Sequence, residues 1–508
     1  MMAASDDLPR STSPLSPVSS PPHSEAGRDS PSDLITPVRF FPISRAELSL
    51  PAVLKCGQTF RWNRTQLVLK PSTSDIDSSD DRQDRKLKNE DEAKNLNIAP
   101  HSELVEWSMA WIDRTVVLRQ DDQGIYYTAL YRPTQTGEYN NDCNLNTTYS
   151  LLRAYFVLDV SLASLYQDWS ERDPVFSSKV SSGEWDGLRV VRQDGWETMI
   201  SFICSANNNI PRISLMLSRL CAAFGNPMPR PPLGVTLPSK FGCQNVEAYD
   251  SSSPLLELYS FPPPVRLSQA DVIEKLKLLG FGYRASYVHK TSIKLCEIAL
   301  EARKDNHWPG FPNLDCRSTF KEDEQKPDLL KPKSFEPQEF LDFLASQTYE
   351  LAHSNLVNQF PGVGPKVGDC ICLFGLGFVH VVPVDIHIYK IALRDYQLDL
   401  SPSKKSTSPA RPSAKNKKQA VADQQSSSRR SAPSSKISPN KKPALAKQVP
   451  SNHTPVKKRK SSNPTSPPPP LSRPNYLKIQ DFFHSTWGPW AGWAQQILFL
   501  ADLSKAPS

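Results

Sequence analysis

A lysine in the first turn of a predicted helix is the residue of this chain best placed for covalent chemistry. In the segment 356–376, an apolar helix ends at Phe360, and the two glycines of 361–364 allow a tight hairpin. Pro365 suits the first turn of the next helix, so Lys366 lies at a helix N-terminus. The helix dipole disfavours its charge, and burial would lower its pKa further. The neutral amine could then attack C1′ of a nucleoside and form a Schiff base that supports strand cleavage by β-elimination.

The same hairpin could instead serve only to hold a phosphate backbone. Unpaired N–H groups at a helix N-terminus attract phosphate, and glycines let a phosphate come close. We expect Gly362, Val363 and Gly364 to make this contact. Lys366 would then be a surface lysine that binds phosphate, and its spacing alone does not decide between the two roles.

A carboxylate lies further along the chain, at the start of another predicted helix. Asp385 follows the apolar run VVPV and precedes the helical pattern IHIYKIAL. Aspartate is common as a helix N-cap, and this structural role is a sufficient explanation on its own. If its helix and the Lys366 helix face one cleft, however, the carboxylate could stabilise a cationic, sugar-like transition state and move protons.

The elements that must position these residues occupy only part of the chain. The 508 residues include 47 prolines, which indicates disordered segments between folded parts. We expect a disordered tail over 1–35, an acidic surface insertion over 71–100 and a basic disordered arm over 401–475. The arm contains many lysines and arginines, so the net charge of +7 is concentrated there and could hold DNA nonspecifically.

The remaining segments predict an α+β fold. Residues 104–112, 115–120 and 125–132 are rich in aromatic and β-branched residues, which predicts an antiparallel sheet within 36–145. Apolar residues then recur at helical spacing through 146–400, with Ser268 as a predicted N-cap. The helix–hairpin–helix lies at about 349–378. The last apolar segment, 476–503, must dock on this core to cover its aromatic residues.

Composition also excludes several classes of protein. No apolar run approaches the length of a membrane-spanning helix, and the N-terminus lacks a secretory signal. The nine cysteines show no paired CxxC pattern, which indicates reduced thiols and no metal site. The segment PVKKRK at 455–460 resembles a nuclear import signal, although a solvated basic linker looks the same. We therefore expect a nuclear protein, with a mitochondrial pool left open.

Five blocks of the sequence together resemble the 8-oxoguanine DNA glycosylase family of helix–hairpin–helix glycosylases. They are LKCGQTFRW (54–62), SFICSANNNIPRI (201–213), LGFGYRASYV (279–288), PGVGPKVGDCICL with VPVDIHI (361–373 and 382–388), and WGPWAGWAQQILFLADL (487–503). The resemblance implies an N-terminal antiparallel β domain of the TBP-like type, two α-helical domains, and an active site in the cleft between the helical domains. It implies no metal and no cofactor.

The resemblance also assigns a role to individual residues. Lys366 matches the Schiff-base lysine and Asp385 the catalytic aspartate. Five residues match positions that contact the damaged base. Gly57 would contact it through its carbonyl, Gln495 would bond its Watson–Crick edge, and Phe499 and Cys370 would sandwich it. Phe374 matches the fifth position, where many members have methionine. Those matching contacts to the remaining DNA are Asn207, Arg212 and Arg284 on the unpaired cytosine, Tyr283 as a wedge, and His387 near a phosphate. Ordinary packing is the alternative for most of them.

Recognition of the lesion would depend on one hydrogen. N7 of guanine accepts a hydrogen bond, whereas N7 of 8-oxoguanine carries hydrogen and donates one, so a carbonyl at Gly57 would favour the lesion. We expect a monomeric enzyme that acts on duplex DNA containing 8-oxoguanine opposite cytosine. Two alternatives stay open: a glycosylase for another damaged base, and a DNA-binding module without catalysis. No cysteine follows Cys372, which argues against the iron–sulfur relatives.

Overall fold

The computed structural model describes residues 33–69, 104–237, 246–248, 257–310, 335–400 and 471–503. Four predicted segments lie wholly or largely outside these ranges: the disordered tail, the acidic insertion 71–100, the basic arm and the import-like segment 455–460. The described residues form an antiparallel sheet near the N-terminus and a larger helical part. The predicted α+β class is confirmed.

The main sheet contains the three strands that the sequence predicts. In chain order, the described strands are β1 Leu34–Ile35, β2 Arg39–Pro42, β3 Asn63–Leu69, β4 Val105–Ala110, β5 Thr115–Gln120, β6 Gly124–Tyr131, β7 Pro227–Met228, β8 Val246–Ala248 and β9 Leu258–Tyr259. The main sheet has the order β1-β6-β5-β4-β3-β8, β2 also pairs with β6, and all of these pairs are antiparallel. Strand β5 is buried along most of its length, which fits its run of apolar residues.

Two predicted boundaries of disorder are wrong by a few residues. Leu34 and Ile35, assigned to the tail, pair with β6, because the Thr36 hydroxyl next to them bonds to the backbone of Ala129 at 3.0 Å and fixes the register. The basic arm was predicted to reach residue 475, but a helix begins at Arg473. The side chain of Ser472 caps that helix and supplies the start signal.

Apart from α1, which lies between β2 and β3, the described helices follow β6 in the chain. They are α1 Leu50–Leu54, α2 Thr136–Leu145, α3 Thr147–Tyr155, α4 Leu162–Arg172, α5 Pro174–Val180, α6 Gly195–Ser205, α7 Ile210–Phe224, α8 Pro264–Leu267, α9 Val272–Leu278, α10 Arg284–Asp305, α11 Glu339–Ala345, α12 Tyr349–Gln359, α13 Pro365–Ile371, α14 Ile386–Arg394, α15 Arg473–Trp487 and α16 Ala491–Leu503. A π-helical turn, Cys372–Leu376, continues α13. Among the described helices, none has the length and apolar character needed to span a bilayer.

The prediction that Ser268 caps a helix is wrong. Two prolines, Pro263 and Pro264, start the short helix α8 upstream, and Ser268 ends it instead. Helix α9 then begins only at Val272. Serine favours both the beginning of a helix and the turn after one, so the local sequence did not distinguish these positions.

The C-terminal helices pack into the main hydrophobic core. Trp487 and Trp493 are almost completely buried, and the Phe483 and Trp487 rings are stacked with their centroids 4.5 Å apart. The indole of Trp487 donates a 2.9 Å hydrogen bond to Asp173, the N-cap of α5, which also accepts one from Tyr396 at 2.6 Å. These contacts hold α15 and α16, which carry Gln495 and Phe499, against the helical part.

Candidate active site

The hairpin between α12 and α13 has the geometry that its glycines predict. Gly362 adopts a left-handed φ of +87°, and an added Cβ there would meet the Tyr287 ring at 2.9 Å. An added Cβ at Gly364 would meet nothing within 4 Å, so this residue borders open space. Val363 differs from expectation: its side chain is buried, and its N–H donates to the carbonyl of Phe360 at 3.1 Å. Gly364 is therefore open to a phosphate, whereas Gly362 packs against Tyr287 and the N–H of Val363 is already bonded.

A buried carboxylate anchors the helix that carries Lys366. Asp369 of α13 is completely buried and accepts hydrogen bonds from Tyr349 at 2.7 Å, from Gln480 at 2.8 Å and from Tyr476. His353 lies 3.2 Å from the same carboxylate. Helices α12 and α15 thus fix α13 from two sides, and with it the direction in which the lysine leaves the helix.

Lys366 and Asp385 line one small cavity of about 50 Å³. Its walls come from the loop after α1, from α6, from α13 and the π-helical turn, from the start of α14 and from α16. The lining residues are Gly57, Phe202, Lys366, Cys370, Phe374, Pro383, Asp385, Gln495, Gln496 and Phe499. Seven of these ten are residues that the sequence predicts for the site, which the fold brings together from distant parts of the chain.

The electrostatics of Lys366 contradict the expectation of an uncharged amine. Burial lowers the pKa of Lys366, as predicted, but the charge interactions with Cys370 and Asp385, together with a hydrogen bond to Cys370, raise it above the ordinary lysine value. The ammonium group also lies 5.4 Å from the centre of the Phe202 ring. In the free protein Lys366 is therefore charged, and it must lose a proton before it can attack.

Asp385 combines the structural and the chemical role that its sequence allows. It caps α14, because one oxygen, Oδ1, accepts hydrogen bonds from the backbone N–H groups of His387 and Ile388, both at 2.9 Å. The other oxygen takes no part in this cap. The cap fixes the carboxylate at the cavity wall, where its charge acts on the lysine.

The residues predicted to contact a base form the remaining walls. Gln495 is 3 % exposed, and its Oε1 has no hydrogen-bond partner within the described part of the chain. Such an unsatisfied buried oxygen is costly unless a ligand donates to it. Phe374 stacks on Phe202 with centroids 5.2 Å apart and planes 5° apart. Burial raises the pKa of the Cys370 thiol to about 11.

The cavity is small in this conformation. A volume of about 50 Å³ holds roughly one or two water molecules, which is less than a purine needs. Four wall residues are only half-buried: Gly57, Lys366, Asp385 and Phe499. His387, predicted near a phosphate, does not line the cavity; its ring contacts Phe499 edge-on at 5.7 Å. A base can therefore enter only if the walls of the cavity move apart.

The predicted cytosine-binding residues cluster at a second place, between α6 and the start of α10. Tyr283 is 56 % exposed, as a wedge requires, and its hydroxyl donates to the Ala206 carbonyl at 3.1 Å. Arg284 is buried and donates to the carbonyl of Asn207 at 3.0 Å, while its Nε has no partner among the described residues. Asn207 has a left-handed φ of +50°, and Arg212 is exposed to solvent.

Three wall residues were missed by the sequence analysis: Phe202, Pro383 and Gln496. Phe202 lies within the matching block SFICSANNNIPRI, but its apolar helical pattern indicated only core packing. Gln496 is adjacent to Gln495 on α16, and a buried polar residue in an apolar helix was the available signal. Larger cavities of about 530 and 660 Å³ lie elsewhere, and neither contains Lys366.

Comparison with known proteins decides the family. A family profile described as "8-oxoguanine DNA glycosylase, N-terminal domain" matches residues 40–199, and one described as "HhH-GPD superfamily base excision DNA repair protein" matches residues 200–411. The N-glycosylase/DNA lyase of Saccharomyces cerevisiae is 31% identical over 357 residues, which cover 70% of each chain. The chain belongs to the 8-oxoguanine DNA glycosylase family. Members of this family are enzymes of base excision DNA repair.

Two further similarities are found. The N-glycosylase/DNA lyase OGG1 of Arabidopsis thaliana is 28% identical over 373 residues, covering 72% of each chain. The crystal structure of the apo form of Clostridium acetobutylicum 8-oxoguanine glycosylase/lyase is 17% identical, with a TM-score of 0.47 over 93% of this chain and 99% of that one. The family membership makes this chain a DNA N-glycosylase with DNA lyase activity.

Proposed function

We propose that this glycosylase removes 8-oxoguanine opposite cytosine in duplex DNA, with Lys366 as the nucleophile and Asp385 as its acidic partner. The observation that carries the proposal is the shared cavity. An amine and a carboxylate, each at a helix N-terminus, line one pocket with the unsatisfied Oε1 of Gln495. This set can bind a purine edge and attack the sugar beside it, which a DNA clamp would not need.

The chemistry starts from a flipped nucleotide. Lys366 first gives up a proton, for which the Asp385 carboxylate is the acceptor at the cavity wall. The neutral Nζ attacks C1′, the bond from C1′ to N9 breaks, and the base leaves with the electron pair and takes up a proton. The amine then forms a Schiff base with C1′ as the sugar ring opens. Removal of a C2′ proton expels the 3′ phosphate and cuts the strand.

The walls of the cavity account for the choice of base. The Gly57 carbonyl would accept the N7 hydrogen of 8-oxoguanine, whereas guanine would oppose its own lone pair to that oxygen. The Oε1 of Gln495 would accept from N1 or the exocyclic amine at the Watson–Crick edge. Cys370 and Phe499 would contact the two faces of the base. Phe374, stacked on Phe202, closes the end of the pocket.

The cluster at the start of α10 would hold the DNA that the base leaves. Tyr283 would fill the gap in the stack, and Asn207, Arg212 and Arg284 would donate to the unpaired cytosine. Gly364 would approach a phosphate of the damaged strand, and His387 would lie near the same backbone. The chain would act as a monomer in the nucleus, which gel filtration and imaging of a tagged chain can check.

Borohydride trapping tests the proposal. Wild type incubated with an 8-oxoguanine:cytosine duplex should form a covalent adduct, and Lys366→Gln should form none. Lys277→Gln removes an exposed lysine that pairs with Glu274, and it should behave like wild type. An adduct with Lys366→Gln would remove that residue as the nucleophile. Cleavage of other damaged bases but not of 8-oxoguanine would identify a glycosylase of different specificity.

A further inference from the structure

The loop that carries Gly57 is fixed on one side by a buried glutamine. The side chain of Gln58 is completely buried, and its amide donates to the carbonyls of Val53 at 3.2 Å and Arg189 at 2.8 Å. Its Oε1 accepts from the N–H of Val191 at 2.9 Å. These bonds fix the peptide on the C-terminal side of Gly57, and with it the carbonyl that would face the base.

The N-terminal side of the loop needs a second anchor. Gly57 has a φ of +81°, and glycine has the widest conformational freedom of any residue. The Ile210 side chain covers one face of it, where an added Cβ would come within 2.7 Å of a methyl group. An apolar contact blocks a side chain but does not set the orientation of a peptide plane.

Gln496 supplies this anchor from the C-terminal helix. It is buried, lines the cavity beside Gln495, and donates from Nε2 to the carbonyl of Cys56 at 3.4 Å. That carbonyl belongs to the peptide bond between Cys56 and Gly57. Gln58 and Gln496 therefore hold the two peptides that flank the Gly57 Cα.

We propose that Gln496 is a positioning residue for lesion recognition, which keeps the Gly57 carbonyl directed at N7 of the base. This inference rests on the proposed function. Helix α16 would then contribute to recognition of both edges of the base. Gln495 would bond the Watson–Crick edge directly, and Gln496 would position the Gly57 carbonyl that bonds N7. Without Gln496 only the bonds of Gln58 hold the loop, and the direction of the Gly57 carbonyl is less strictly fixed.

The test compares a substrate with a base and a substrate without one. Single-turnover cleavage is measured on an 8-oxoguanine:cytosine duplex and on an abasic-site:cytosine duplex. Gln496→Met keeps the size of the side chain and removes the donor. It should lower excision of 8-oxoguanine roughly threefold to tenfold relative to abasic-site cleavage, about the effect of one hydrogen bond. Gln496→Glu, with an acceptor facing a carbonyl, should lower the ratio further.

Two controls make the result specific. Gln167→Met changes an exposed glutamine of α4 and should leave both rates at the wild-type level. In a Gly57→Ala background, where the carbonyl is displaced, Gln496→Met should have almost no additional effect on the ratio. An additive effect there would mean that Gln496 contacts the base itself, and would overturn the proposal.

The same measurements distinguish failure of the proposed function from failure of the role of Gln496. If wild type cleaves the abasic site and leaves 8-oxoguanine intact, the proposed function and this inference both fall. If wild type excises 8-oxoguanine and Gln496→Met lowers both rates equally, or neither, only the role of Gln496 falls.

Discussion

The hydroxyl of Thr291 donates a 2.9 Å hydrogen bond to the carbonyl of Pro361. This bond joins α10, which begins beside the wedge Tyr283, to the hairpin that precedes Lys366. We expect Thr291→Val to weaken abasic-site cleavage several-fold, because the hairpin loses its fixed position on the wedge helix. The loss of stability should be about 1 kcal/mol. Single-turnover kinetics and urea unfolding measure the two effects. Thr291→Ser retains the hydroxyl and should restore the rate; equal rates for all three proteins would contradict the link.

The two glycines of the hairpin should respond differently to alanine. Gly362→Ala forces a side chain into a left-handed backbone and against the Tyr287 ring, so it should cost about 1–3 kcal/mol of stability. Gly364→Ala meets nothing in the free protein, so its stability should change by less than about 1 kcal/mol. The new methyl group would nevertheless stand where a phosphate approaches, and DNA affinity should fall. Thermal unfolding and fluorescence anisotropy would separate the cases; strong binding by Gly364→Ala would exclude the phosphate contact.

Removal of Cys370 should shift the pH dependence of the lyase step. Cys370 is the strongest of the groups that raise the pKa of Lys366 against the effect of burial. The thiol itself ionises only near its pKa of about 11, so Cys370→Ala should lower the pKa of Lys366 in the alkaline range where the thiolate forms. The limb of the pH profile along which abasic-site cleavage rises with pH should move to lower pH, because it follows the neutral fraction of Lys366. Cys372→Ala is the matched control, since Cys372 is buried but does not line the cavity. An unmoved limb in Cys370→Ala would contradict the assignment.

The buried carboxylate of α13 should matter for stability and for catalysis. Asp369→Asn places an amide donor among groups that donate to the carboxylate. We therefore expect the free energy of unfolding to fall by about 3 kcal/mol. Tyr349→Phe removes one donor and should cost about 1 kcal/mol. Both variants should slow borohydride trapping in the same order, because α13 carries Lys366. Urea unfolding gives the free energies, and full trapping activity in a destabilised Asp369→Asn would show that the network does not position the lysine.

The sequence predicted the helices and strands better than it predicted the ionisation and contacts of their side chains. Strand β5 has the predicted bounds, because an apolar pattern between two turn signals marks it. The charge of Lys366 was predicted wrongly, since it depends on Cys370, one helical turn away, and on Asp385, on another helix. The helix dipole and burial each lower the pKa of the lysine, as predicted, but the prediction left out these two partners, which raise it.

Contacts between distant segments of the chain also could not be predicted from the sequence. Gln496 contacts the loop of Gly57 only because α16 folds back across the cavity, and no spacing in the sequence encodes that. Arg284 matched a cytosine-binding residue, yet in the free protein it holds a backbone carbonyl of Asn207. The resemblance predicted which residues gather at the site, whereas the partners of each side chain required the fold.

The pocket depends on the number of residues in the π-helical turn after α13. Such a turn closes its hydrogen bonds over one residue more than an α-helix does. Deletion of a single residue within Cys372–Leu376 would let the segment relax to ordinary helical spacing and change the direction of the side chains within the turn. The ring of Phe374 would then leave Phe202. Substitutions in this turn can be absorbed one side chain at a time, but a change in residue number cannot.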